Sequence, residues 1–346
     1  MIGCREFTRK EGKEMLSVVQ AQDQHFETVY RLTNNNDLEV VLSPYGARLL
    51  AIKVPLTEGV RDIVASPVDL AGQKQARYFG ATIGPVAGRI SQSYFEIDGE
   101  KFVTETNNNE HTLHSGSNGF DNRVWLAETY EKDGEVGVIF SLTHEDGEDG
   151  FPGKVQAKVT YSLDNADNLT IRYDATTDKP TLYNPTNHGY YNLTGSESNP
   201  INSHLLQVNA KEVATTNPDV TTTGTKTAVE GTKFDFSELK TIGETQLDDP
   251  FILTHEADFD LVLVSPDEKV RLQITTDAPG VVIYTTGTHE EGTLMKNGAM
   301  AVRGAIAIET QGIPGAEKFA QYGDITLRPE QSFHSATTYH IDYLQV

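Results

Sequence analysis

The sequence predicts an all-β protein, a large antiparallel β-sandwich. Runs that alternate apolar and polar residues, typical of strands with one buried face, recur along the whole chain. Turn-forming pairs such as Asp-Gly, Asn-Pro and Pro-Gly separate these runs. A helical repeat of ten or more residues is hard to find, which excludes a fold of alternating strands and helices.

The predicted strands follow one another in hairpins. Residues 38–43 and 48–54 flank a Pro-Tyr-Gly turn, and residues 94–97 and 101–104 flank Asp98-Gly99-Glu100, a short-hairpin signal. The further predicted strands are 136–142, 155–163, 169–175, 270–276, 281–286, 305–310 and 338–346.

Three other stretches have different expected structures. Short turns of helix are expected within residues 71–79 and after Pro314. Residues 211–247, rich in Thr, Gly, Lys and Glu, have the weakest strand pattern, so we expect a long excursion of loops and short strands there.

The chain of 346 residues has no Pro- or Ser-rich linker and no fixed-period repeat. We therefore predict a single domain over residues 15–346. The polar segment 9–14 precedes Met15, and its Lys-Glu-Gly is what a purine-rich ribosome-binding sequence encodes. We interpret residues 1–14 as a disordered extension ahead of a native start at Met15.

The charge balance excludes several classes of partner. Lys and Arg number 28 and Asp and Glu number 50, so the net charge is -22 and phosphate-rich nucleic acids or anionic membranes would be repelled. No stretch has the apolar length of a signal peptide or of a membrane span. The single cysteine, Cys4, excludes a multi-cysteine metal site and favours a reducing compartment. We expect a cytoplasmic monomer or homodimer with no nucleic-acid or membrane partner.

Four segments concentrate polar side chains, and the first two are loops. Residues 78–90 combine several Gly and Ala, which permit close backbone approach, with a single charge, Arg89. The alternative is a tight loop whose Arg pairs with a surface acid. Residues 107–116 hold His111 and His114, but no second His, Asp or Glu pair at metal spacing stands out. A hydrogen-bonding histidine on a loop is therefore favoured over metal ligation.

The other two segments carry candidate acid–base residues. Residues 183–195 contain three Asn, two Thr, three Tyr and His188. Sugar sites use this mixture because hydroxyls need directional partners and a pyranose face stacks on rings; the alternative is a polar turn. In residues 305–315, Glu309 ends an apolar strand, where partial burial would raise its pKa toward that of a general base. The alternative is an exposed Glu at a strand end.

Taken in order, from about Phe26 to the C-terminus, these segments resemble the aldose 1-epimerases, the galactose mutarotases. The most specific piece is Asn187-His-Gly-Tyr-Tyr-Asn-Leu-Thr-Gly195, supported by Glu148-Asp-Gly-Phe-Pro-Gly153 and by residues 276–285. The resemblance implies a supersandwich of the galactose mutarotase type. It also implies interconversion of the α and β anomers of a free aldose such as galactose or glucose, with neither cofactor nor metal.

The resemblance further implies roles for five residues. These are Glu309 as general base, His188 as general acid, and Arg89, His114 and Asp248 as residues that bind the sugar. Asp248 fits the family's Asp-x-x-Phe pattern better than its neighbour Asp249 does. Because the acid and the base would be charged together, we expect their attraction to lower the pKa of Glu309 and raise that of His188.

The chain departs from the family pattern at several positions, and these bear on substrate choice more than on the reaction. Pro85 and Gly88 stand where the family often has Arg and Asn, Ser115 replaces a Gly, and Gly315 replaces an Asp. Two alternatives stay open: a hexose-6-phosphate 1-epimerase, and a carbohydrate-binding protein of the same fold without turnover. A glycoside hydrolase would need a second carboxylate beside Glu309.

Overall fold

The computed structural model describes residues 16–344. Within them lie three large sheets, five two-stranded ribbons and one short α-helix, Leu70–Gln75, and every pairing between these strands is antiparallel. The predicted all-β antiparallel architecture is confirmed. The interpretation of residues 1–14 and of Met15 lies outside the described residues.

The strands fall into sheets as follows. The five-stranded sheet contains Ser17–Asp23, Glu27–Thr33, Glu39–Ser43, Arg48–Leu56 and Gly59–Asp62. The nine-stranded sheet contains, in spatial order, Leu126–Lys132, Glu135–His144, Val155–Asp164, Asn168–Thr177, Phe333–Tyr343, Val270–Thr276, Leu261–Val264, Leu205–Val208 and Lys240–Thr241. The six-stranded sheet contains, in spatial order, Gly189–Tyr191, Ile306–Gln311, Gly280–Thr285, Asp248–Leu253, Ala210–Thr216 and Thr222–Ala228.

Short elements complete the described chain. The ribbons pair Thr82–Ile83 with Thr186–Asn187, Arg89–Ile90 with Thr112–Leu113, Tyr94–Ile97 with Glu100–Val103, Thr181–Leu182 with Thr326–Leu327, and Leu294–Met295 with Gly298–Ala299. The 3₁₀ turns are Ser91–Ser93, Phe120–Asn122, Glu148–Gly150, Ile201–Ser203 and Ala320–Tyr322.

The main core lies between the nine-stranded sheet and the other two large sheets. Alternate residues of all three, such as Leu49, Tyr161 and Ile308, belong to one buried apolar cluster. In strand Ile306–Gln311, Ile306 and Ile308 enter this core, so Ala307 and Glu309 must face the other side of the six-stranded sheet. The alternation thus gives this sheet one apolar face and one face free for a site.

Local signals explain where the chain turns. Asp98 and Gly99 both have positive φ, 54° and 84°, which a two-residue turn with the twist of the flanking strands requires. At the helix, the Asp69 side chain accepts a hydrogen bond from Gly72 N at 2.7 Å and caps the first turn.

Two predictions about the strands need correction. The last strand begins at Phe333, five residues before the predicted start at residue 338, and ends at Tyr343. The segment 211–247 takes part in a hairpin of two seven-residue strands, Ala210–Thr216 and Thr222–Ala228, longer than the short pieces expected and with a register shift between residues 214 and 216. The second strand is an edge strand of Thr, Lys and Ala residues with little to bury, so it lacks the apolar alternation that marks central strands.

Candidate active site

The floor of the site is the free face of the six-stranded sheet. The register places Glu309 opposite Val282 and Val282 opposite Pro250 in one row. The next row has Tyr190 opposite Ala307, Ala307 opposite Tyr284, and Tyr284 opposite Asp248. Because directly paired residues share a face, these side chains all rise from the same side of the sheet.

His188 joins this face at the start of strand Gly189–Tyr191. Gly189 pairs with Ile308, so the same register carried one residue further sets His188 opposite Glu309. Their side chains meet, with His188 Nε2 3.2 Å from Glu309 Oε1. Glu309 therefore lies in an interior strand and is buried, not at a sheet edge or a solvent-exposed strand end.

The small-residue segment 78–90 forms the wall above His188. Backbone hydrogen bonds link Gly80 N to His188 O and His188 N to Ala81 O, both at 2.8 Å. The close approach depends on Gly80, whose φ is +72° and whose added Cβ would lie 2.0 Å from Leu49 O. The small residues were expected to permit close backbone approach. In the structure, Gly80 permits the close approach of another backbone segment, at Leu49.

His114 is fixed by Gly88 in the same wall. His114 N donates to Gly88 O at 3.0 Å, and Gly88 N donates to His114 Nδ1 at 3.2 Å. Since Nδ1 accepts a hydrogen bond, the proton of the neutral ring is assigned to Nε2. Burial lowers the pKa of His114 well below its usual value, with smaller contributions from His188, Arg89 and Arg77. His114 is therefore a neutral donor through Nε2–H.

Arg89 and Asp248 face each other across the cavity. Arg89 Nη2 lies 4.0 Å from Asp248 Oδ2, and Arg89 Nε donates to Asn108 Oδ1 at 3.2 Å. Burial raises the pKa of Asp248, and Arg89 partly opposes this shift. Asp249 points to the other face of the sheet, where its Oδ2 accepts from Asp248 N at 3.0 Å. Asp248, not Asp249, is the carboxylate that lines the cavity.

All five residues singled out in the sequence line a single cavity of about 340 Å³. This volume is at the lower end of the range for small-molecule sites, which is the scale of one sugar ring. Among its described lining residues, Arg89 is the only Arg or Lys, whereas Asp248, Glu290 and Glu309 are acidic. His111 is elsewhere: its Nδ1 accepts from Gln92 N and its Nε2 lies 3.2 Å from Asp219 Oδ2.

The protonation of the central pair differs from the sequence expectation. Burial lowers the pKa of His188 to about 3 and raises that of Glu309 well above its usual range. The expectation from mutual attraction, a raised His188 pKa and a lowered Glu309 pKa, is wrong, because burial disfavours the charged form of each group. The raised pKa of Glu309 agrees with the separate expectation from burial. The two buried groups titrate as one coupled pair, and burial favours the neutral form of each.

The site also contains a three-residue group with metal-binding side chains. In the part of the chain that the structure describes, the ligand atoms of His114, His188 and Glu309 lie within 4.8 Å of one another. However, His114 Nδ1 already accepts from Gly88 N, so its Nε2 carries a proton and offers no lone pair to a metal. The group therefore fits hydrogen bonding to sugar oxygens better than metal coordination.

Several lining residues carried no recognisable signal in the sequence. Glu290, in the loop after strand Gly280–Thr285, accepts from Tyr284 Oη at 2.7 Å and from Gly287 N at 2.8 Å. Val220, in the loop between strands Ala210–Thr216 and Thr222–Ala228, has a φ of 65°, a strained value for a β-branched residue. Both are loop residues, and only the tertiary fold brings such residues to the cavity.

Two departures from the family pattern have a local structural reason. Gly88 has a φ of +79°, a conformation that Gly adopts freely and Asn tolerates, and an added Cβ there would lie 3.1 Å from the Pro314 ring. Ser115 replaces a glycine at a φ of 65°, and its hydroxyl both accepts from Val86 N and donates to Val86 O. These two bonds compensate for the unfavourable backbone.

The aldose 1-epimerase family model matches residues 28–340. The chain belongs to this family. It is 34% identical over 332 residues to the aldose 1-epimerase of Escherichia coli K12, covering 89% of this chain and 93% of that protein. It is 33% identical over 319 residues to the galactose mutarotase of Mus musculus, covering 88% and 91%.

Solved structures of the family agree in fold. A GalM/aldose epimerase homologue from C. elegans superposes with a TM-score of 0.82 at 27% identity, covering 95% of this chain and 100% of that one. The galactose 1-epimerase of Lactobacillus acidophilus gives the same TM-score and identity, with coverage of 95% and 99%. The predicted galactose mutarotase-like sandwich is therefore confirmed. None of the helices within residues 16–344 is long and apolar enough to span a membrane.

Proposed function

We propose that this aldose 1-epimerase interconverts the α and β anomers of a free hexose, galactose or glucose, with Glu309 and His188 as its acid–base pair. The observation that carries the proposal is the buried contact of 3.2 Å between His188 Nε2 and Glu309 Oε1 on the floor of a sugar-sized cavity. Anomer exchange requires a proton to leave one sugar oxygen while another proton reaches a second oxygen, and this pair supplies both groups.

The reaction begins from the charge-separated form of the pair, which shares its proton count with the neutral form. The Glu309 carboxylate removes the proton of the C1 hydroxyl while the His188 imidazolium protonates the ring oxygen. The C1–O5 bond breaks, a C1=O double bond forms, and the open-chain aldehyde results. After rotation about C1–C2, O5 attacks the other face of C1. His188 takes back the proton from O5 as Glu309 returns one to the carbonyl oxygen.

The other three residues bind the sugar. His114 Nε2–H and the Arg89 guanidinium donate to sugar oxygens and stabilise negative charge that develops on them. Asp248 accepts hydrogen bonds from sugar hydroxyls. Because the described lining includes a single Arg and no Lys, a phosphorylated hexose has one fixed cation to meet its charge and three carboxyl groups to repel it.

The proposal also covers the compartment, the metabolic context and the assembly of the protein. The lone cysteine favours action in the cytoplasm, and free galactose connects the enzyme to galactose metabolism. We propose one catalytic domain over residues 15–346, working as a monomer or homodimer.

Polarimetry with freshly dissolved sugars tests the proposed function. The protein should accelerate the rotation change of α-galactose or α-glucose in a saturable way, and α-glucose-6-phosphate should react much more slowly. A binding protein would show saturable binding without acceleration. A preference for the phosphorylated sugar would instead assign the chain to the phosphate-specific alternative.

A further inference from the structure

The imidazole of His188 lies parallel to the rings of two tyrosines. Tyr190 is 4.8 Å from it between ring centroids, and Tyr78 is 5.9 Å from it, each at an interplanar angle of 13°. Tyr190 follows His188 by two residues in an extended segment, so their side chains share a face. Tyr78 is brought to His188 by the hydrogen bond from Gly80 N to His188 O.

Further rings hold this stack in place. Tyr190 stacks on Phe79, with centroids 3.9 Å apart, and meets Tyr284 edge-on at 6.3 Å. Ala307, directly opposite Tyr190 in the sheet, is small and leaves room for the ring. Tyr190 is buried and belongs with Phe79 and Ala307 to a separate apolar cluster. The Tyr190 ring therefore has little freedom to rotate.

His188 lacks the usual hydrogen bond that orients a catalytic histidine. In many sites a carboxylate or carbonyl accepts from the second ring nitrogen and fixes the plane of the ring. Here Nδ1 of His188 is buried and has no hydrogen-bond partner among residues 16–344. The orientation of the ring therefore depends on packing together with the contact between Nε2 and Glu309.

The charged groups around His188 act in opposite directions on its protonated form. Glu309 favours an imidazolium, whereas the guanidinium of Arg48 disfavours it and neutral His114 meets the ring edge-on at 5.3 Å between centroids. The faces of tyrosine rings attract a cation through their quadrupoles, most strongly where water is excluded. A parallel stack is also compatible with the neutral ring, so it supports both protonation states of the cycle.

We infer that Tyr190 and Tyr78 are positioning residues that orient the His188 imidazole and stabilise its protonated form during ring opening. The inference rests on the proposed function, in which His188 donates the proton to the ring oxygen. Tyr190 and Tyr78 act through His188, by means of their rings. The hydroxyl groups are not required for this role.

Paired substitutions separate the effect of the ring from that of the hydroxyl. Tyr190→Leu removes the aromatic face and keeps apolar bulk, whereas Tyr190→Phe keeps the face. Kinetics by polarimetry with galactose should show that the Leu variant loses about 10-fold or more in kcat relative to the Phe variant, the size of a desolvated cation–π contact, with a much smaller change in KM. A purely structural role would lower thermal stability or raise KM without this loss in kcat.

Tyr78→Leu and Tyr78→Phe repeat the comparison at the half-buried ring, where substitution disturbs the core less. A smaller kcat difference in the same direction is expected from its longer distance. Equal kcat values for the Leu and Phe variants at both positions would overturn the inference. An inactive wild-type protein would instead contradict the proposed function, so the two failures are distinguishable.

Discussion

His188 and Glu309 lie 3.2 Å apart and are both almost completely buried, so they titrate as a pair and not as independent groups. The reactive state carries one proton on the pair. The pair binds a second proton only at low pH, because burial lowers the pKa of His188 to about 3. In the proposed mechanism, the alkaline limb of activity reports loss of the last proton of the pair, which the raised pKa of Glu309 shifts to higher pH.

The neighbours of Glu309 predict how this alkaline limb moves. Asp248 raises the pKa of Glu309 and Arg89 lowers it. In the pH dependence of kcat/KM, the alkaline midpoint should therefore fall in Asp248→Asn and rise in Arg89→Ala. Both variants should bind galactose more weakly, but the opposite signs separate the electrostatic effect from lost binding. Shifts of the same sign, or no shift in either variant, would contradict the assignment.

At the scale of elements, the segment 78–90 contacts both the five-stranded sheet and His188. Gly80 N donates to His188 O, and Gly80 packs so closely against strand Arg48–Leu56 that an added Cβ would lie 2.0 Å from Leu49 O. Such a contact cannot relax without moving the backbone. His188 and the five-stranded sheet are therefore coupled through Gly80.

Substitution of two glycines tests this coupling. Gly80 and Gly99 have similar φ values, +72° and +84°, but an added Cβ at Gly99 meets nothing within 4 Å. Gly99→Ala should cost about 1 kcal/mol through backbone strain alone. Gly80→Ala should cost at least about 3 kcal/mol in urea unfolding, because strain and overlap add, and should also lower kcat. Equal losses of stability would show that the close approach is unimportant.

Sequence patterns predicted the elements of the site better than its electrostatics. The apolar alternation of residues 305–310 was sufficient to find the strand of Glu309, whereas residues 183–195 were recognised as a polar motif and not predicted as a strand. Their register, which sets Glu309 opposite His188, depends on long-range pairing that local patterns do not encode. Glu290 and Val220 lie in irregular loops, and the pKa shifts follow from burial, which becomes known only with the fold.

At the scale of the whole molecule, the site reduces the stability of the fold at alkaline pH. The folded-state pKa of Glu309 is raised above the unfolded value, so the unfolded chain releases its proton first as the pH rises. This contribution to stability is complete below the unfolded pKa of about 4.3 and is lost as the pH rises toward the folded pKa. An ionised carboxylate in the floor of the sandwich is costly to the fold.

Glu309→Gln should therefore gain stability relative to the wild type as the pH rises. The free energy of unfolding of each protein is measured in urea at about pH 5 and about pH 8. Between these two values, the wild type should lose about 1 kcal/mol or more relative to the variant, the equivalent of roughly one pKa unit. If the stability difference between the two proteins did not change with pH, or changed in favour of the wild type, burial would not disfavour the ionised form of Glu309.

The same substitution gives the most direct test of the acid–base assignment. An amide keeps the shape of the carboxyl group but has no useful basicity near neutral pH, so Glu309→Gln should fold and still bind galactose. The deciding measurement is its kcat for freshly dissolved α-galactose by polarimetry, beside the wild type. A loss of about 100-fold or more is expected for removal of a general base. Turnover within about threefold of the wild type would contradict the role of Glu309 and with it the proposed mechanism.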